Sequence, residues 1–272
     1  MATSVLHRPL AAPLPSLAEV ADGMRRHELI TRASAIAFRV LYATIPFAMF
    51  VLAAAGLLHL ESLWTDNLAP GIAPHVSDPL FAVLDQVALN ALTGQRVFWL
   101  TAGLALAVWE VSSAVRVVQG CLDDIYGARK RRSFGERLPT SLWLGPACGL
   151  LILATIAALH LGPHVVDGPL GGLARYLVAA ALLWCCVTAL VRYAPAKRRP
   201  FEWVTFGSTL IVAGWLVSWT VYGLYLTNVA EVGTAFGAFA AVIVLFTFLE
   251  ISCVVLLAGA LIDALVREHA SK

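Results

Sequence analysis

Three ionisable side chains, Arg39, Glu110 and Glu250, fall inside long apolar runs. A lone charge in hydrocarbon costs ~2.5 kcal/mol or more unless it is paired, protonated or hydrated. Trp109, Ser112, Ser113 and Arg116 share one face of a helix by their spacing of three and four, and Glu110 lies beside that face. Two readings of these residues stay open. One is a polar chamber open to the cytoplasm, with Arg39 bridging Glu110 and Glu250 and with Ser113 and Arg116 beside them. The other is a structural ion pair that fixes helix packing and handles no substrate.

Other chemistry finds little support. The seven histidines form no His-x-His-x-Asp-His cluster of the kind a metal-dependent nuclease needs. His160 and His164 are four apart, but Gly162 and Pro163 are expected to break the helix that would align them. No nucleophile elbow or phosphate-binding glycine loop is present. The five cysteines lack C-x-x-C spacing, and four fall in or beside apolar runs, where a thiol behaves as a small hydrophobe. The expectation is no catalytic residue, no metal ligand and no cofactor.

The elements that carry these residues follow from composition. Hydrophobic residues make up 60% of the chain and charged residues 13%, with a mean hydropathy of +0.80. Soluble domains carry about 25% charged residues. The fold class is all-α, a polytopic membrane protein forming one membrane domain over residues 1–272. Its six transmembrane helices are expected at about 33–58, 97–118, 139–161, 173–194, 203–226 and 235–262. The last run, Ala235 to Ile262, would extend roughly 40 Å as a helix, more than the ~30 Å hydrocarbon core. Ser16 is placed to cap a short helix with Glu19 in its first turn. Between spans one and two, Leu80, Val83, Leu84, Val87, Ala88 and Ala91 recur at helical spacing behind Ser77, Asp78 and Pro79. That predicts an amphipathic interfacial helix, with Trp64 as an interfacial anchor before it. Pro46 is expected to kink the first span near Tyr42.

Nearly all of the Lys and Arg residues lie in the N-terminal tail, the links Arg129–Arg132 and Lys197–Arg199, the C-terminus and the adjoining helix ends. The positive-inside rule then predicts both termini cytoplasmic, as an even span number also requires. Those loops are read as contacts to anionic membrane lipids rather than nucleic acid. Counting rise from each helix start puts Arg39, Glu110 and Glu250 about 8–10 Å from the cytoplasmic face.

Several spaced motifs resemble the YihY/BrkB family of bacterial inner-membrane proteins. Ala37-Phe38-Arg39 leads to Pro46 in the first span. Trp109, Ser112 and Ala114 continue to Leu122 and Tyr126. Tyr193 and Pro195 precede Arg198, Arg199 and Trp203, followed by Gly207, Trp215 and Tyr225. Phe236-Gly237-Ala238 opens the last span and Leu257-Ala258-Gly259-Ala260 closes it. In three places the chain departs from the pattern: Phe236 stands for the usual Tyr, Leu261 for Glu, and Glu250 for a small residue. The resemblance implies a multi-pass protein of the bacterial inner membrane, a transporter or flippase-like protein for a lipid or amphipathic envelope component. The alternative is a non-transporting envelope scaffold that binds lipids or partner proteins, and a homo-oligomer is open under either. The family has also carried a ribonuclease label, which the histidine pattern argues against.

Overall fold

A computed structural model of the chain describes residues 15–57, 63–72, 78–93, 96–128, 133–165, 169–196, 205–228 and 235–271. The basic links Arg129–Arg132 and Lys197–Arg199, together with Ser77 and Trp203, lie outside the described residues. The described chain is helical throughout, and six of its helices are long and apolar enough to cross a membrane. They are α2 (Leu29–Leu57), α5 (Arg96–Ile125), α6 (Phe134–Val165), α7 (Pro169–Tyr193), α8 (Phe206–Asn228) and α9 (Ala235–Ser271). Hydrocarbon satisfies no backbone polar group, so each spanning segment must close its own hydrogen bonds as a helix. This is an all-α membrane protein with six spans.

Consecutive long helices pack side by side, and α9 returns to α2, so the six close into a ring. The main apolar core fills the half of the ring nearest the chain ends. Its members include Leu29, Ala33 and Ala37 of α2, Val118 and Leu122 of α5, Val187 and Leu190 of α7, and Leu257 and Leu261 of α9. Small residues set the closest approaches. A β-carbon on Gly207 would sit 2.2 Å from the Gly259 carbonyl oxygen, and one on Gly259 would sit 2.4 Å from Ile211 Cγ1, so α8 and α9 cross backbone to backbone.

α1 (Leu17–Arg26) begins with a capping box. The Ser16 hydroxyl accepts the Glu19 N–H at 3.2 Å, and the Glu19 carboxylate accepts the Ser16 N–H at 2.7 Å. Val20 and Met24 pack on the core, and Glu19 lies 3.5 Å from His269 near the end of α9. Both ends of the described chain therefore lie at one end of the bundle. Glu28, at φ 50°, supplies the left-handed residue that turns α1 into α2.

The connection from α2 to α5 is built rather than featureless. It holds a π-helical turn (Leu63–Leu68), α3 (Ala69–Ile72) and α4 (Asp78–Thr93). Trp64 corrects the expectation of an interfacial anchor. It is buried with Ala69, Ala88 and Leu92, and its indole N–H donates to Asp85 at 2.8 Å. The expected α4 stripe is split: Ala88 faces this small cluster beside Leu92, which was not in the stripe, while Val87 is exposed. A β-carbon on Gly56 would meet the Leu92 carbonyl oxygen at 2.3 Å, which fixes α4 against α2.

Most helix ends fall outside the expected spans. α5 runs on through Asp123 and Asp124, α6 starts at Phe134, and α9 continues through Asp263 to Ser271. Hydropathy marks where apolar side chains stop, whereas a helix stops where its backbone is capped. Gly162 and Pro163 do not break α6, which continues to Val165, because a proline in the last turn removes one helical bond at most. α2 likewise runs unbroken through Pro46.

Two outcomes are expected. Gly207→Ala drives a methyl into the α9 backbone, where overpacking costs about 1–3 kcal/mol. Its melting temperature in detergent should fall by several degrees, while Gly135→Ala, where no atom lies within 4 Å of the added carbon, should not move it. The second outcome concerns pH. Glu19 is held below the usual carboxylate range, chiefly by the Ser16 N–H, and His27 is held below the usual imidazole value, chiefly by burial. A depressed folded pKa stabilises above the unfolded pKa and is lost as pH falls through the folded one. Hydrogen-exchange protection across α1, measured relative to the intrinsic rate at each pH, should therefore fall below about pH 6.5, and again below about pH 4.5. His27→Asn should remove the upper step alone.

Candidate functional site

The site is organised by how α5 is turned. Successive residues step ~100° around a helix, so each contact fixes a direction. Ala114, Val118, Cys121, Leu122 and Ile125 point into the core. One flank meets α2: Asp124 pairs with Arg32 at 2.6 Å, and a β-carbon on Gly103 would lie 2.9 Å from the Pro46 carbonyl oxygen. The other flank meets α6: Ser112 packs against Gly145, Arg116 donates to Ser141 Oγ at 3.3 Å, and Arg137 reaches Asp123 at 3.4 Å. Trp109, Ser113 and Arg116, at i, i+4 and i+7, are left on the side turned away from the core.

These residues floor a groove between α2 and α6. Arg39 enters it from α2 and donates to the Ser113 hydroxyl, covering it. The Arg116 guanidinium lies between two rings, 5.0 Å from the centre of Trp109 and 5.1 Å from that of Phe134. Cation–π contact of this kind is worth more when desolvated. Trp109 is 47% exposed and Phe134 60%, although Arg116 beneath them is only 8% exposed. On α2, the exposed rings of Phe38 and Tyr42 stack on each other at 6.0 Å between centroids.

The structure does not bring Arg39 to either carboxylate. Glu250 instead accepts a hydrogen bond from Ser34. Ser34 and Arg39 are five residues apart on α2, about 140° around its axis, so they face different neighbours. The antiparallel pairing also separates the three in depth. Glu250 lies level with Ser34, about 7.5 Å nearer the chain ends than Arg39, while Glu110 lies about 4.5 Å further from them than Ser113. Glu110 is half-buried on the α2 flank and has no hydrogen bond or ion pair among the described residues. Neither Arg39 nor Arg116 has a carboxylate within ion-pair distance among the described residues.

Two carboxylates outside the expected spans prove structural. Asp123, 2% exposed, accepts the Ala196 N–H at 2.6 Å on one oxygen and Arg137 on the other. It joins α5, α6 and the turn after α7. This gives the Tyr193 and Pro195 motif a physical role: buried Pro195 sets the turn that aims Ala196 at Asp123, and Tyr193 packs edge-on against Trp143 at 5.3 Å. Asp263 accepts the Gly207 N–H at 2.8 Å and the Thr205 hydroxyl, capping α8 from α9 beside Gly259. The sequence signal for Asp263 was an acidic residue directly after an apolar run, whereas Asp123 stands five residues beyond one. Ser112 is fully buried against α6, Tyr126 packs on the core, and Gly237 lies in the first turn of α9. Among the described residues no three His, Cys, Asp or Glu side chains gather as a metal site.

Comparison with known proteins follows this geometry. The chain is 23% identical over 260 residues to the putative ribonuclease-like protein YfkH of Bacillus subtilis, covering 89% of this chain and 92% of that one. It is 27% identical over 267 residues to the UPF0761 membrane protein Mpe_A1422 of Methylibium petroleiphilum, covering 92% of this chain. A UPF0761 membrane protein of Albidiferax ferrireducens is 25% identical over 85% of this chain. The matches cover 62% and 57% of those two UPF0761 proteins, so each extends well beyond the shared region. No solved structure matches. A family model described as Virulence factor BrkB matches residues 20–272, nearly the whole chain with all six spans, and the protein belongs to that family.

Proposed function

We propose that the protein moves a lipid or another amphipathic envelope component across the bacterial inner membrane. One observation carries this reading: Arg39, Glu110 and Glu250, unlike the Arg32–Asp124 and Arg137–Asp123 pairs nearer the chain ends, are not consumed by one another. A purely structural role for Arg39 would place a carboxylate against it, whereas the described partner is the neutral hydroxyl of Ser113. Charged side chains kept in a membrane without mutual pairing mark a ligand path by default. The clustered Lys and Arg of the chain ends and links orient those ends to the cytoplasm in this reading. The α4 helix then lies at the periplasmic surface.

Stability and transport separate the alternatives. Breaking a buried ion pair from one side costs roughly 3–5 kcal/mol. Arg39→Leu should cost less than that, and its effect should add to that of Glu250→Gln, because the two side chains share no contact. A double mutant more stable than the sum of its parts would restore the ion-pair reading. In proteoliposomes carrying a fluorescent phospholipid, the protein should speed loss of inner-leaflet protection from a membrane-impermeant quencher, and Arg39→Leu should slow it at least tenfold while folded. Absence of movement across a panel of lipids would favour the scaffold.

A further inference from the structure

We propose that the groove between α2 and α6 is a docking site for the phosphate of a membrane lipid head group, held by Arg39 and Arg116. This names the ligand for the transport reading above, but it stands as a binding site whether or not transport occurs.

The groove holds two guanidiniums and no paired carboxylate. Ser113 and Arg116 are three apart on α5, so their β-carbons lie about 5–6 Å from each other. Arg39 is anchored on Ser113, so its charge sits within a helical turn of the Arg116 backbone, and Arg116 lies within electrostatic range of both Arg39 and Glu110. Two like charges at low dielectric repel, and a bound anion converts that repulsion into attraction. Each guanidinium spends only part of its donor set, with one described hydrogen bond to a serine hydroxyl. The remaining N–H groups offer the forked geometry that matches phosphate oxygens.

The direction of the groove selects a lipid over a free anion. Trp109, Ser113 and Arg116 lie on the side of α5 turned away from the core, with Trp109 exposed toward the bilayer and Ser113 and Arg116 buried behind it. Acyl chains can lie along Phe38, Tyr42, Trp109 and Phe134, which are all exposed, while the head group enters between the helices. A free anion would have to cross hydrocarbon to reach the same place. Depth adds to this. Arg39 is ten residues into α2, roughly 15 Å from its start, deeper than a head group resting in the surface layer. Glu110, a turn further along, repels additional negative charge and favours a single phosphodiester over a polyanion.

The test is binding to the purified full chain in detergent, with three probes: dioctanoyl phosphatidylglycerol, dioctanoylglycerol and inorganic phosphate. Phosphatidylglycerol should raise the melting temperature by several degrees, and the other two should not. Arg39→Gln and Arg116→Gln should each weaken its apparent affinity at least tenfold. Arg116→Lys should recover part of it, and Arg175→Gln, on another helix, should leave it intact. Equal shifts from inorganic phosphate would overturn the lipid assignment, and equal shifts from dioctanoylglycerol would overturn the phosphate assignment. Because a variant can misfold, a second readout uses the unaltered protein. Phosphatidylglycerol with a photoreactive acyl chain should label the peptide containing Trp109, and labelling spread evenly over the lipid-facing helices would contradict the site. Binding without lipid movement would refute transport and leave the site standing, whereas movement without Arg-dependent binding would do the reverse.

Discussion

Helix α5 has to satisfy three helices and the bilayer with a single angular phase. Its apolar stripe through Val118 and Leu122 is committed to the core. Asp124 then necessarily meets Arg32 of α2, and Ser112, Arg116 and Asp123 necessarily meet α6. What remains is the side turned away from the core, where Trp109 is exposed and Ser113 and Arg116 are covered only by the side chains of Arg39 from α2 and Phe134 from α6. The groove is therefore a geometric consequence of how α5 is anchored. Rotating α5 by one residue would break the Asp123 junction and push polar groups into the core.

The polar residues near the chain ends and those in the groove obey the same rule with opposite results. A buried polar group costs free energy unless it is hydrogen-bonded. Asp123 and Asp263 answer that cost with backbone N–H groups and a capped helix, and they weld α5, α6, α7, α8 and α9 at one end. Arg39 and Arg116 answer it only in part, through single serine hydroxyls and aromatic rings. An end tied by Asp123 and Asp263 next to a partly satisfied groove is the arrangement expected of a binding surface held on a stable frame.

Six spans and the short capped helix at Ser16 were legible in the sequence, because long apolar runs and a capping box are local signals. The depth of Arg39, Glu110 and Glu250 was only partly legible. Rise per residue is well known, and α5 and α9 begin within one residue of their expected starts, but α2 begins four residues before the expected Ala33, which moves Arg39 deeper by about 6 Å. Azimuth was not legible at all. Nothing local to Arg39 shows that it faces α5 while Ser34, five residues earlier, faces α9. That depends on which helices are neighbours, which only the folded ring defines. Trp64 failed for a related reason: an aromatic beside a membrane run suggests an anchor, and the α4 residues that meet it, Asp85 at its indole N–H with Ala88 and Leu92 around it, lie 21 or more residues away.

The most direct test is a cryo-EM structure of the protein in nanodiscs containing phosphatidylglycerol, at a resolution that shows side chains. The account predicts head-group density between Arg39 and Arg116, with acyl-chain density running past Trp109 and with Glu250 still on Ser34. Arg39 turned through the bundle onto Glu250, with an empty groove, would contradict it.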